Sequence, residues 1–267
     1  MSEHDPIGTR RSARFVRAVS AVTVLVLVGV WWVVSSQGWV QPLFLPGPGR
    51  VVESLGTLVT AGFADSTLWE HTVASLFRVG TAFGLAVALA VPIGLTMSIH
   101  DPIKAVLDPL IEFYRPLPPL AYLPLVIIWL GIGEASKVVL IFLAVFAPVC
   151  LNTRAGVNAI PREQLLAAAS LGATRWQLVR HVALPAALPQ ILTGLRVGIG
   201  FGWTTLVAAE MVAAESGLGF LVLNAKDFLA TDVVIAGICV IGVIAYGFDL
   251  LMRRVEAWLV PWSGRVG

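Results

Sequence analysis

The sequence has 267 residues, of which 57% are hydrophobic and 13% are charged, and its mean hydropathy is +0.86. A soluble domain carries roughly 25% charged residues, so a chain of this composition cannot cover a water-exposed surface with polar groups. The net charge is +2 and the basic residues are scattered between apolar runs, which excludes nucleic acid as the main partner. The composition therefore predicts an all-α membrane protein whose surface largely faces lipid.

Six apolar segments are each long enough to cross a bilayer, which takes about 20 helical residues. Their predicted bounds are 16–36, 72–99, 103–130, 136–152, 188–213 and 233–251, and prolines interrupt the third. The first segment could also be a signal peptide, because Arg10 and Arg11 precede it. Its apolar run is longer than the usual signal core of about 7–15 residues, and no small-residue cleavage site follows. We therefore predict a retained membrane helix.

The distribution of basic residues predicts the orientation, because cytoplasmic loops carry an excess of Lys and Arg. Loops on the side opposite to the N-terminus hold few basic residues, namely Arg50, Lys137 and Lys226, each near an acidic residue. The N-terminal side holds many more: Arg10, Arg11, Arg14, Arg17, Lys104, Arg154, Arg162, Arg175, Arg180, Arg253, Arg254 and Arg265. Six crossings then predict two cytoplasmic tails, at 1–15 and 256–267.

The stretch 37–68 is predicted to be an outer segment that contains an amphipathic helix. Pro48 suits the first turn of such a helix, where its missing N–H has no intrahelical partner. The apolar side would consist of Val51, Val52, Leu55 and Leu58.

The region between the fourth and fifth spans, about 156–185, is long and has its own helix signals. Pro161 favours a helix start, and Gly172 can take a positive φ and end that helix. Thr174 and Gln177 form a capping box that opens a second short helix, and Pro185 predicts a break before the next span. The result is two short helices at an angle in the cytoplasm.

The residues alone leave two functions open for this region. Leu165, Leu166 and Ala169 give the first short helix an apolar side that would fit the groove of a partner protein. The alternative is a helix that lies on lipid headgroups.

The same region resembles the EAA loop of binding-protein-dependent ABC importer permeases. In that pattern Glu-Ala-Ala is followed after three residues by Gly, and nine residues later by Ile-x-Leu-Pro. Ala167 stands here in place of the Glu, which removes one expected ion pair. The resemblance implies that residues 156–185, which we call the coupling segment, contact a partner ATPase through Ala168, Ala169, Gly172, Thr174, Trp176, Val182, Leu184 and Pro185.

The resemblance extends over nearly the whole chain. Residues 43–46, 114–119, 129–133 and 202–210 look like the nitrate, sulfonate and taurine branch of that family, and 228–234 looks like its taurine permeases. This implies a type I importer fold with about six membrane helices and a permease domain at 69–255. It also implies a bacterial cytoplasmic membrane, a second permease chain in a homodimer, two ATPase subunits and an extracytoplasmic solute-binding protein.

The sequence contains no pattern that would make the chain an enzyme on its own. It lacks the G-x-x-x-x-G-K-[ST] phosphate loop, so ATP hydrolysis is expected in the partner. The four histidines are dispersed, and Cys150 and Cys239 fall in apolar runs as buried free cysteines do. We expect no catalytic residue, no cofactor and no metal. An ion-coupled secondary transporter remains the alternative, although the internal repeat typical of that class is not evident.

Ionisable residues inside membrane spans are candidates for the solute path, because they are costly to place there. Glu112 and Arg115 share a helix face and could pair with the ammonium and sulfonate of taurine, although a purely structural ion pair is the alternative. Trp203 and Glu210, in a stretch that resembles the family, are assigned to the same path. Arg78 and Arg196 are further charges within spans.

Small residues recur at every fourth position of the fifth span, at Gly194, Gly198 and Gly202. Such spacing gives a smooth helix face and predicts close helix packing, either within the bundle or at a dimer contact. Gly80 and Gly84 predict the same for the second span. A dinucleotide-binding fingerprint is excluded because no strand precedes these glycines.

Overall fold

The computed structural model describes residues 13–262, apart from the side chains of residues 13, 14, 16 and 17. The outer parts of both predicted tails, with Arg10, Arg11 and Arg265, lie outside the described residues. The described chain forms helices α1 Ala13–Ser36, α2 Pro48–Thr60, α3 Leu68–Ile99, α4 Asp101–Tyr114, α5 Pro119–Leu130, α6 Glu134–Asn158, α7 Arg162–Ser170, α8 Arg175–Leu178, a π-helical turn Val179–Ala183, α9 Leu184–Ala213, α10 Leu218–Asp227 and α11 Thr231–Leu259.

The directions of the helices follow from contacts at one end of the bundle. Arg78, in the third turn of α3, bonds to Glu134, the first residue of α6, and to Glu210, in the last turn of α9. Ser54 of α2 donates a hydrogen bond to Asp232 at the start of α11, with 2.6 Å between Oγ and Oδ2. The starts of α3 and α6 therefore lie beside the end of α9.

The opposite end of the bundle carries the coupling segment. A Cβ added to Gly94 of α3 would lie 2.8 Å from Cβ of Thr153 in α6, and Gly156 of α6 is equally close to Gln190 of α9. Arg196 in α9 pairs with Asp249 near the end of α11. Helices α3, α6 and α11 thus run in one direction, and α9 runs in the other.

The predicted third span is two helices, α4 and α5, bent by 107° at Arg115–Pro118. Pro116 and Pro118 lack the N–H groups that a continuous helix needs, which explains the break. Because α3 ends at the coupling end and α6 begins at the opposite end, α4 and α5 together carry the chain across the bundle. With this pair counted once, the described chain has six candidate spans, as predicted.

Helix α6 is the centre of the bundle and packs between α3 and α9. The three spaced glycines of α9 all face it: added Cβ atoms would lie 2.5 Å from Asn152 at Gly194, 3.1 Å from Val145 at Gly198 and 3.0 Å from Val145 at Gly202. This places their close packing within the bundle. Gly80 and Gly84 do not pack within the bundle, because added Cβ atoms there would meet nothing within 4 Å, so for them a dimer contact stays a prediction.

Helices α1 and α2 lie at the edge of the bundle. The indole N–H of Trp31 in α1 donates to the carbonyl of Pro46, 3.0 Å away. No residue in the most apolar stretch of α1 is buried, as a lipid-facing helix requires. Helix α2 begins at Pro48 as predicted and buries Val51 and Leu58. The prediction for Val52 is wrong: its side chain is exposed, because it lies about 100° around the helix from Val51.

Several helix ends differ from the predicted bounds. Helix α11 continues to Leu259, so the predicted C-terminal tail begins within a helix. The predicted break at Pro185 is wrong, because the π-helical turn joins α8 directly to α9 and Pro185 occupies the first turn of α9.

Candidate functional site

The coupling segment forms a tight helical corner at the end of the bundle where α3 and α6 end and α9 begins. Helix α7 ends in a Schellman motif, in which the N–H of Gly172 donates to Ala169 and the N–H of Ala173 to Ala168, at 2.9 and 3.2 Å. Gly172 has φ +83°, which suits glycine. The side chain of Thr174 then caps α8, accepting from the N–H of Gln177 at 3.3 Å. The helix end and the capping box follow the sequence prediction.

The residues assigned to ATPase contact fall into two groups. Ala168, Ala169, Gly172, Thr174 and Trp176 lie on the corner, where no residue of α7 or α8 is buried in the described chain. Val182, Leu184 and Pro185 lie in the π-helical turn and the first turn of α9, and each is partly buried. The first group can contact a partner, and the second connects that contact to the long helix α9.

A cavity of about 640 Å³ lies at the bend between α4 and α5. Arg115 lines it together with Tyr114, Asn152 of α6 and Phe201 of α9. Arg115 Nη2 lies 3.3 Å from Glu112 Oε2, and both side chains are about half exposed, at 51% and 48%. The hydroxyl of Tyr114 is buried and has no hydrogen-bond partner among the described residues. An anion in this cavity would meet the Arg115 guanidinium, whereas the buried Tyr114 hydroxyl does not open into the cavity.

Trp203 lies elsewhere, in a second cavity of about 560 Å³ between α9 and α11. That cavity is also lined by Arg196 and Asp249, whose Nε and Oδ1 atoms are 2.6 Å apart. The indole N–H of Trp203 is buried and has no partner within the described chain. The structure therefore does not bring Trp203 to the cavity that Arg115 lines.

Glu210 lies in a closed polar network and has no exposed surface. Its carboxylate accepts from Arg78 Nη1 and Ser75 Oγ, both at 2.7 Å, and from the N–H of Gly219 at 2.9 Å. Arg78 also binds Glu134 through two hydrogen bonds of 2.6 and 2.8 Å. In this conformation a solute cannot reach this carboxylate, because its partners enclose it, so the structure does not support the assignment of Glu210 to a solute path.

The same network contains residues that the sequence analysis did not single out. The N–H of Gly217 donates to Nδ1 of His71, 3.0 Å away, and Nε2 of that ring lies 3.2 Å from the carbonyl of Phe63. Gly217 has φ +128°, and an added Cβ would clash with Glu210. Buried Ser75 and His71 carry no recognisable motif, so the only sequence signals were the charges of Arg78 and Glu210 within spans.

Residues 80–261, more than half of the chain, match the family described as binding-protein-dependent transport system inner membrane component. The chain belongs to this family. The permease is 52% identical over 249 residues to the taurine transport system permease protein TauC of Escherichia coli K12, covering 93% of this chain and 90% of the relative. It is 36% identical to the putative aliphatic sulfonates transport permease protein SsuC of the same organism, covering 89% of both chains.

A solved structure agrees on the fold. The permease superposes on a chain of the MetNI methionine ABC transporter, in an inward-facing conformation, with a TM-score of 0.62 and 18% identity, covering 72% of this chain and 95% of that one. The permease therefore has the type I importer fold, and it is the multi-pass transmembrane component of an ABC importer. The family resemblance that the sequence indicated and the predicted fold class are both confirmed.

Proposed function

We propose that this permease moves taurine, or a closely related alkanesulfonate, into the bacterial cytoplasm, with nitrate as the next solute to consider. The observation that carries the proposal is the 52% identity to a taurine permease over 93% of the chain. The 36% identity to a permease named for aliphatic sulfonates supports the same chemical class.

The working importer would contain two copies of this chain, two ATPase subunits and an extracytoplasmic binding protein. The coupling segment is proposed to face the cytoplasm, with both tails on that side. Each ATPase would hold the exposed corner around Gly172. ATP binding would draw the two ATPases together, and the unbroken path from α8 through the π-helical turn into α9 would carry that movement into the permease domain, residues 69–255. The bundle would then alternate between outward and inward access.

The test is reconstitution of the permease with its ATPase in vesicles. Taurine-loaded binding protein should stimulate ATP hydrolysis and drive taurine uptake, and it should do neither when the protein is loaded with an unrelated amino acid. Ionophores that dissipate ion gradients should leave uptake unchanged. Uptake that ionophores abolish, in a permease that copurifies with no ATPase, would establish the secondary transporter instead.

For the solute path, we propose that Arg115 receives the sulfonate in the cavity at the α4–α5 bend and that Glu112 receives the ammonium. Arg115 supplies a charged, half-exposed donor at the cavity wall. A sulfonate that accepts from a guanidinium gains a charge-assisted hydrogen bond. Glu112, 3.3 Å from Arg115, is close enough to bind the other end of a small zwitterion. Trp203 and Glu210 are not part of this path.

Charge-exchanged and isosteric variants distinguish this role from a structural ion pair. Arg115→Gln should lower taurine-stimulated ATP hydrolysis, while the complex still assembles. The double exchange Glu112→Arg with Arg115→Glu restores an ion pair of reversed polarity. If the double exchange regains wild-type uptake with an unchanged solute range, the pair is structural and the proposed path is wrong.

A further inference from the structure

Besides the two cavities, a groove at the inner end of the bundle has the chemistry of a binding site for an acidic phospholipid. This groove, which we call the α3–α8 groove, has a volume of about 470 Å³ and lies between the last turns of α3 and the segment from α8 to the start of α9. Small-molecule pockets typically have volumes of about 300–1,000 Å³. None of the ten residues that line it carries a carboxylate.

The rim of the groove is basic. Arg175 and Arg180 line it, together with the imidazole of His100. No ion pair of the described residues involves Arg175 or Arg180. By contrast, Arg154, at the same end of the bundle, pairs with Asp108. Two guanidinium groups without an ion-pair partner on one rim provide the positive charge and the hydrogen-bond donors that bind a phosphate diester.

The wall of the groove is apolar and extends along the membrane-spanning helix α3. Leu95 and Ile99 line it from one side, and Trp176 and Val179 line it from the other. The lining of α3 extends from Pro92 to Ile99, about 10 Å along the helix axis. A cavity that continues so far along a span reaches the depth of acyl chains, where a soluble protein segment would leave backbone groups without hydrogen-bond partners.

From these observations we propose that the α3–α8 groove binds an acidic phospholipid of the inner leaflet, with the phosphate at Arg175 and Arg180 and an acyl chain along Leu95 and Ile99. Trp176, also assigned to the ATPase contact, lines the same groove, and its amphipathic ring suits the membrane interface. Because the groove joins α3 to the coupling segment, the bound lipid stabilises the position of α8 relative to the bundle. The assignment of this end to the cytoplasmic leaflet rests on the proposed function.

The test measures lipid retention and ATP hydrolysis separately. The permease–ATPase complex is reconstituted in phosphatidylcholine with or without phosphatidylglycerol, purified, and the retained phosphatidylglycerol is quantified by mass spectrometry. Arg175→Gln and Arg180→Gln should each weaken phosphatidylglycerol binding roughly fivefold, as expected for one basic residue near an anionic surface. Arg254→Gln, an exposed arginine in the last turns of α11 and outside the groove, should leave retention unchanged. Leu95→Trp, which fills the apolar wall without changing charge, should also lower retention.

Other outcomes assign the groove differently. If Arg175→Gln and Arg180→Gln retain phosphatidylglycerol normally but lose the ATPase during purification, the rim is an ATPase contact and the lipid proposal is overturned. If glycerol phosphate, which has no acyl chain, displaces phosphatidylglycerol, the groove is a site for soluble anions. Taurine-stimulated ATP hydrolysis in the same vesicles reports on the importer itself, so loss of lipid retention alone does not alter that conclusion.

Discussion

At the scale of single residues, Arg78 joins three helices at the end of the bundle opposite to the coupling segment. Its guanidinium is buried and donates to two carboxylates and to the carbonyl of Ser216. Glu210 accepts on both oxygens and has no exposed surface. Each charged group in this arrangement is neutralised by its partners. Removal of one charge therefore leaves an opposite charge buried and unpaired, which is energetically costly in an apolar interior.

We predict that Arg78→Ala destabilises the permease by about 3–5 kcal/mol, since it leaves Glu210 buried without its positive partner. Thermal unfolding of the purified permease, followed by tryptophan fluorescence, measures the effect. The matched control is Arg115→Ala, which removes a half-exposed ion pair and should cost about 1 kcal/mol or less. Similar losses for the two variants would contradict the structural role given to Arg78.

The glycine positions of α9 offer a second comparison between residues of one helix. A Cβ at Gly198 would touch Val145 and Val149 of α6, whereas a Cβ at Gly200, two residues further along, would meet nothing within 4 Å. We predict that Gly198→Leu pushes α6 away from α9 and lowers the free energy of unfolding by about 1–3 kcal/mol or more, as overpacking of a core does. Gly200→Leu should leave the free energy of unfolding nearly unchanged. Size-exclusion profiles and unfolding temperatures of the two variants provide the readout. Equal behaviour would show that α9 does not pack as described.

At the scale of elements, the coupling segment is a rigid corner. Two hydrogen bonds close the end of α7, and a capping box opens α8 after a turn through Gly172. No residue of α7 or α8 is fully buried, so tertiary packing within the described chain contributes little to the corner. Its shape is therefore held by local backbone geometry, and that geometry depends on one residue with a positive φ.

We predict that Gly172→Val lowers solute-stimulated ATP hydrolysis and uptake at least tenfold, while the bundle stays folded. A β-branched residue at φ +83° is strained, and the corner would change its angle to relieve that strain. Gly172→Asn should retain most of the activity, because Asn tolerates the left-handed region. Should both variants transport like the wild type, the corner angle would have no part in coupling.

At the scale of the whole molecule, the broken pair α4–α5 determines the topology. If the pair did not cross the bundle, α6 would start at the coupling end and could not place Glu134 beside Arg78 of α3. Six crossings put both ends of the described chain on the side of the coupling segment. The exposed residues Ile132 and Leu171 then lie on opposite sides of the membrane.

Cysteine labelling tests this topology. In a Cys239→Ser background, Leu171→Cys should react with a membrane-impermeant maleimide only after the cells are opened, and Ile132→Cys should react in intact cells. The buried Cys150 should not react in either condition. Labelling of both introduced cysteines from the same side would exclude the six-crossing arrangement.

The sequence by itself determined most of the architecture, because its strongest signals are local or additive. The lengths of the apolar runs predicted the spans, and the cluster of Pro116, Pro118 and Pro119 predicted the interruption of the third span. The spacing from Ala168 to Pro185 predicted the position of the coupling segment. The capping box at Thr174 was readable because its two partners are three residues apart. The helix ends were less accurate, since α11 continues to Leu259 and α6 continues to Asn158, where Thr153 and Gly156 are still buried.

Tertiary structure alone decided what the polar residues within spans do. Glu210 reads in the sequence like a solute ligand, but it meets Arg78 and Ser75, more than 130 residues away along the chain. Trp203 and Arg115, assigned to one path, line separate cavities because Arg115 lies at the α4–α5 bend and Trp203 lies on the side of α9 that faces α11. A charge is costly in any span. Whether it binds a solute or a neighbouring helix depends on which residues folding brings beside it, and periodicity along one chain segment does not contain that information.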